Sequence, residues 1–255
     1  MTKENRYLIT VPLEFKVACA VCKINIQSAL QIFINYCSLY DSLTAGYNKY
    51  YAEAAETVSQ YIELKRPGTN MVINDSAEVQ NCLLAMVHEG VKHKGDQITG
   101  RKKANKHVTQ LLKATKREYH PKSRSIYLDK DTVLHLSKDF CAMCELYACY
   151  PPEILEYYMS MISLADATAA NDLKIKTNNY SMYFFTESTS EYIQKYKDFL
   201  EITQEDHDFL QELTEYRLEL YIIRNVFQRK ARLKEFYHSY YQKIINSNPS
   251  RYATW

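Results

Sequence analysis

Hydrophobic positions recur along this chain at two spacings, and their order repeats once. Residues 7 to 11 alternate, with Tyr7, Ile9 and Val11 on one side, as a short half-buried strand would. Pro12 then suits a helix start, where its missing N–H has no helical partner to lose. Phe15, Ala18, Cys19 and Cys22 follow at three- and four-residue spacing and predict a helix of about ten residues ending near Lys23 to Asn25. A second helix is expected through Leu30, Phe33, Ile34 and Cys37, capped by Asn25. The same order returns further on: Leu134 and Leu136 alternate, and Ser137 stands as an N-cap. A helix through Phe140, Met143, Cys144 and Tyr147 and another through Leu155, Tyr158, Met159 and Ile162 complete it. Each first helix carries an acid near its start, Glu14 or Asp139, where the helix dipole is positive.

Helices are expected to fill the rest, at about 46 to 64, 76 to 90, 101 to 118, 188 to 201 and 204 to 247. The last shows the most regular seam, through Phe209, Leu213, Tyr216, Leu220, Ile223 and Phe227, with Thr203 at its head.

The repetition extends to residue identity. Offset by 125, residues 15 to 45 and 140 to 170 align without a gap over 31 columns, of which seven are identical, among them Phe15/Phe140, Cys19/Cys144, Ser38/Ser163 and Asp41/Asp166. The unlike columns Phe33/Tyr158, Ile34/Met159 and Cys37/Ile162 stay apolar, as a shared buried face requires. After six inserted residues, 56 to 62 recurs as 187 to 193, and a weaker register sets Arg101 and Lys102 on Arg229 and Lys230. The expectation is two tandem homologous helical domains, 1–122 and 123–255, each opening with a short strand and a helix-turn-helix.

Composition agrees with a mostly α fold: five Gly and six Pro in 255 residues leave few turn formers for a many-stranded sheet. Seven Cys, an odd number in a chain of this size, suggest reduced thiols and a cytoplasmic protein. No signal-peptide pattern opens the sequence, no apolar run is long enough to span a bilayer, and no membrane association is expected.

Catalytic and metal motifs are weak. Cys19/Cys22 and Cys141/Cys144 have Cys-x-x-Cys spacing, but they lie along helical faces, where cysteine acts as a small hydrophobe, rather than on the turns zinc ribbons use. The seven His form no metal-helix pattern, and no Gly-rich phosphate loop or nucleophile elbow is recognisable. The chain is expected to be no enzyme and to carry no metal or other cofactor.

Charge is the sharper clue. Between Lys92 and Arg124 stand eleven Lys or Arg against two acids, so this segment holds +9 and the remainder of the +2 chain holds −7. Arg101, Lys102, Lys103, Lys106, Lys113, Lys116 and Arg117 occur with no acid among them, interleaved with Val108, Leu111 and Leu112. A helix there would turn a cationic face outward, suited to the phosphates of duplex DNA. Arg229 and Lys230 form a weaker counterpart.

The order strand, short helix, tight turn, longer helix resembles the ribbon-helix-helix fold of Arc-type and methionine-repressor-type DNA-binding proteins, over residues 6 to 43 and 131 to 168. That resemblance implies two paired antiparallel strands entering the major groove, here 7–11 with 132–136. Its outward strand residues map to Arg6, Leu8 and Thr10, and to Asp131, Val133 and His135; Arg6 and Thr10 are the ones suited to base edges. The expected function is a DNA-binding accessory or regulator of transcription. The alternative is a helical module binding a protein partner, or a second copy of itself, through the 204–247 helix.

Overall fold

A computed structural model describes residues 8–44, 49–68, 76–115, 119, 125–129, 131–195 and 203–247. It is mostly helical, as the periodicity and composition require. In chain order the helices are α1 (Leu13–Val21), α2 (Ile26–Tyr36), α3 (Leu39–Thr44), α4 (Lys49–Lys65), α5 (Ala77–Lys92) and α6 (Gln97–Ala114). A hairpin of β1 (Ser125–Tyr127) and β2 (Val133–His135) follows. Then come α7 (Lys138–Leu146), α8 (Pro151–Ser160), α9 (Leu164–Asp172), α10 (Tyr180–Lys195), α11 (Gln204–Glu219) and α12 (Val226–Ser247).

The expected local signals are used. Asn25 Oδ1 accepts from the Ser28 N–H at 2.6 Å, Ser137 Oγ from the Phe140 N–H at 3.0 Å, and Asp206 Oδ2 from the Thr203 N–H at 2.6 Å. After α1 and after α7 the chain turns in the same way. Lys23 (φ 52°) and Ala148 (φ 50°), 125 positions apart, both take the left-handed conformation. The N–H of Ile24 reaches the Cys19 carbonyl at 3.0 Å, and that of Cys149 reaches Cys144 at 2.9 Å. This is a Schellman-like close, in which orphan carbonyls at the helix end find donors.

The chain divides into two compact units, one of Met1–Val11 with Leu30–Met159, the other of Pro12–Ala29 with Ser160–Trp255. Neither coincides with 1–122 or 123–255. In the first unit α7 packs on α3 and α6; in the second, α1 packs on α9 and α12. Each leading helix therefore sits among helices from the opposite half of the sequence.

In the first unit Phe33 stacks on Tyr158, ring centroids 4.0 Å apart and nearly parallel, so two residues from matching columns touch each other. The α5–α6 pair has Gly90 and Gly100 where α3 approaches. A methyl group at Gly100 would overlap the Tyr40 hydroxyl, and one at Gly90 the Thr44 side chain. The second unit is built around Val17, Ala165, Ala169, Phe209, Leu233, Tyr237 and Tyr241, with the rings of Phe209 and Tyr240 stacked at 3.8 Å.

Two sequence expectations are corrected. The helix expected over 204–247 is interrupted by a 3-10 turn at Leu220–Ile222, and Asn225 caps a fresh start by accepting from the Gln228 N–H at 3.1 Å. The cause is Arg229, whose guanidinium binds the Leu220 carbonyl and the Ile223 carbonyl (3.1 Å), drawing the turn inward. Among the described residues, the expected pairing of 7–11 with 132–136 is also not the one formed. β2 pairs antiparallel with β1, while Leu8 bridges Tyr127 in parallel and the Ile9 N–H donates to the Tyr127 carbonyl at 3.2 Å. Residues 8 and 9 take the far edge of β1 rather than an edge of β2, and the hairpin closes on a short loop. Asp129 further fixes its turn by accepting from the N–H groups of Asp131 (2.8 Å) and Thr132 (2.6 Å).

Candidate nucleic-acid interface

Helix α6 is positioned by its apolar stripe. Asp96 caps it, accepting from the Thr99 N–H at 3.0 Å, and the Thr99 side chain together with that N–H holds the Asp96 carboxyl below its ordinary range. Gly100, Ala104, Val108, Leu111 and Leu112 are buried, so the helix is fixed along one side. Lys102, Lys106 and Lys113, four and seven residues apart, fall together on the opposite side, and Lys103 stands beside them. All four are exposed. From Lys102 to Lys113 the helix rises about 16 Å, enough to follow several phosphates of a duplex strand. No acid occurs in α6; on this lysine face Glu89 of α5 lies 3.7 Å from the Lys106 ammonium. The end of α5 and the turn after it add exposed Lys92 and Lys94, which the sequence pattern marks as charge without assigning them to a site.

Arg101 does not join that face. Its Nε donates to Asp41 Oδ2 at 2.8 Å and its Nη2 to Asp41 Oδ1 at 2.8 Å, and the guanidinium lies 4.1 Å from the Tyr51 ring centroid. The Asp41 side chain is 1% exposed, so this arginine neutralises a buried acid. Asp139, at the start of α7, accepts from the Tyr40 N–H at 3.4 Å and lies near the same pair. Burial pushes its carboxyl up to about 6, and the neighbouring Asp41 charge adds to that. The identity of Asp41 and Asp166 between the halves was the available sequence signal for this cluster.

The second unit holds an arrangement of similar make-up. Glu14 of α1 accepts from the Ser163 hydroxyl at 3.2 Å and pairs with Lys234 at 3.5 Å, while Asp166 pairs with Lys230 at 3.0 Å. Arg229 is 2% exposed and bound to Asp172 (3.2 Å) and to the two carbonyls of the 220–223 turn. Arg229 is thus no surface residue, and Lys230 is half committed. Thr10 is exposed, and its N–H donates weakly to Glu156 at 3.4 Å. Arg6, Lys116 and Arg117 lie outside the described residues.

Cys19, Cys37, Cys141 and Cys144 are fully buried, and burial raises the thiol pKa of Cys19, Cys37 and Cys144 well above the ordinary value. Among the described residues no group of three or more His, Cys, Asp or Glu is arranged to hold a metal ion. No single helix among them is long and apolar enough to cross a membrane. No protein-family model, curated protein or solved structure matches this chain.

Proposed function

We propose that this protein binds the backbone of duplex DNA through the exposed lysine face of α6. The observation that carries the reading is the placement of Lys102, Lys103, Lys106 and Lys113, outward on a helix without acids whose other side is anchored in a core. Such a face neutralises phosphates and releases counterions; it positions a protein on DNA without reading bases. Binding is therefore salt-sensitive and nearly indifferent to sequence, as for an architectural or accessory factor, with regulation of transcription the process it would serve in the cytoplasm.

The repeat belongs to the same proposal. Internal duplication is supported by the recurring order of six helices, the matched left-handed residues Lys23 and Ala148, the exchanged leading helices and the Phe33–Tyr158 stack. The ribbon-helix-helix likeness is supported by the strand-helix-turn-helix order alone; with β2 paired to β1, the α6 face rather than a ribbon is assigned to DNA. Fluorescence anisotropy with two unrelated 20-base-pair duplexes, titrated with salt, tests the function. Like affinities and a steep salt slope are expected, and absence of binding at about 50 mM salt would end the proposal.

A further inference from the structure

The turn between α11 and α12 presents a concentration of apolar surface that packing leaves uncovered. Within ten residues, Leu218 is 70% exposed, Tyr221 61%, Ile222 84% and Phe227 77%. This is not a loosely held loop. Arg229 clamps the carbonyls of Leu220 and Ile223, and Arg217 and Arg229 both engage Asp172, so the turn is held rigidly while its side chains point outward. The Arg224 guanidinium lies 4.6 Å from the Tyr221 ring centroid. A cluster of large apolar side chains exposed on an ordered element marks an interaction site more often than chance.

We propose that this tip is a self-association surface, taking a second copy of the same chain in an isologous contact. Three observations select that occupant. The tip carries one exposed acid, Glu219, and one exposed base, Arg224, so it is charge-balanced and self-complementary: a two-fold contact that meets Glu219 with Arg224 of the other copy does so twice. An anionic bilayer, which favours a surplus of bases around apolar residues, is the poorer match. Area agrees as well: two aromatic rings and two branched aliphatic side chains open to this extent offer roughly 600 Å², most of the about 800 Å² per partner of a standard interface. Composition points the same way, since Tyr, Phe and Arg are enriched at interface centres.

The corresponding turn of the first unit is a useful contrast. Between α5 and α6, Val91 and Ile98 are exposed too, but there two exposed bases, Lys92 and Lys94, stand against the single exposed acid Asp96. A two-fold contact there would leave one base per copy without an opposite charge, so self-pairing is assigned to the balanced α11–α12 tip.

Light scattering on the full chain after size exclusion tests this at about 5 to 100 μM, a range spanning the micromolar affinities common for interfaces of this size. The expected result is a species of twice the 29.9 kDa chain mass at the upper end. Ile222→Ser with Phe227→Ser should leave a monomer with unchanged circular dichroism. Glu219→Arg should weaken the dimer at least tenfold, and adding Arg224→Glu should restore it, because the exchange re-establishes complementarity across a two-fold. A wild-type monomer at 100 μM overturns the proposal, whether or not it floats with phosphatidylglycerol vesicles. A dimer also lost in Val91→Ser with Ile98→Ser overturns the isologous form, since that result requires one unit's tip to meet the other's.

Discussion

Replacing Arg229 by Ala removes a guanidinium that serves three groups at once. It sits 2% exposed, donates to the carbonyls of Leu220 and Ile223, and pairs with Asp172, whose side chain is 9% exposed. Deleting one partner of a buried pair costs about 3 to 5 kcal/mol because the other charge is left uncompensated. Here Asp172 keeps Arg217, which donates to it through Nε at 3.1 Å and through Nη2, so the electrostatic part falls toward the lower end. The Leu220 carbonyl keeps the Ile223 N–H at 2.9 Å, so only the Ile223 carbonyl loses its donor, and a buried acceptor left unsatisfied costs about 1 to 3 kcal/mol. Water entering the opened turn recovers part of that, so the expected loss is about 4 kcal/mol. Urea unfolding followed by circular dichroism reads it as a lower midpoint at unchanged slope. Arg229→Lys should recover only a fraction, because an ammonium lacks the planar fork that reaches both carbonyls and the carboxylate. Lys102→Ala, on the exposed face of α6, should shift stability by less than about 0.5 kcal/mol. A loss below about 1 kcal/mol for Arg229→Ala would refute the clamp and return Arg229 to the solvent-facing role its sequence position suggested.

Arg101→Gln should destabilise by about 2 to 4 kcal/mol in the same assay, because it strands the buried Asp41 carboxylate; a neutral effect would contradict the pairing. Asp139 gives a pH signature. Its carboxyl is raised from 3.8 to about 6, so the folded state holds the proton more tightly than the unfolded state, and ionisation subtracts stability as pH rises from about 4 to 6. At about 1.4 kcal/mol per unit, the penalty above pH 6 reaches at most about 3 kcal/mol. Asp139→Asn escapes it, so the melting temperature of the variant relative to wild type should improve between pH 4.5 and 7.5; a constant offset would show that Asp139 titrates normally. Ile34→Asp or Met159→Asp should each unfold the protein, since both side chains are fully buried in apolar surroundings; near-normal melting of either would overturn the core assignment.

Local periodicity carried the helices well. Phe15 to Cys22 and Phe140 to Tyr147 reveal α1 and α7 because short-range spacing alone decides which face is apolar. The interruption of the last helix was hidden because Leu220 and Ile223 continue the seam without a break. What stops the helix is a side chain six and nine residues downstream reaching back to their carbonyls. The basic residues misled in the same manner. Arg101 and Arg229 read as surface charge, yet their acids lie 60 and 57 positions away, where no local pattern links them. The strand partner left no local signal either, since residues 8 and 9 meet β1 rather than β2. The lysines of α6 were legible because exposure opposite an apolar stripe follows from helical geometry. That α1 and α7 each join helices of the other half left no trace in periodicity, because a leading helix shows the same apolar face whichever half receives it.

The most direct test of the DNA assignment is the salt dependence of duplex binding for wild type and for a variant with Lys102, Lys103, Lys106 and Lys113 all replaced by Gln. With four fewer phosphates neutralised, the slope of log affinity against log salt should flatten by roughly 3 to 4, at about 0.9 per phosphate. Affinity for unrelated sequences should fall to a like degree, with the melting temperature unchanged. A variant that binds duplex DNA with the wild-type slope would show that the α6 face is not where the protein meets DNA.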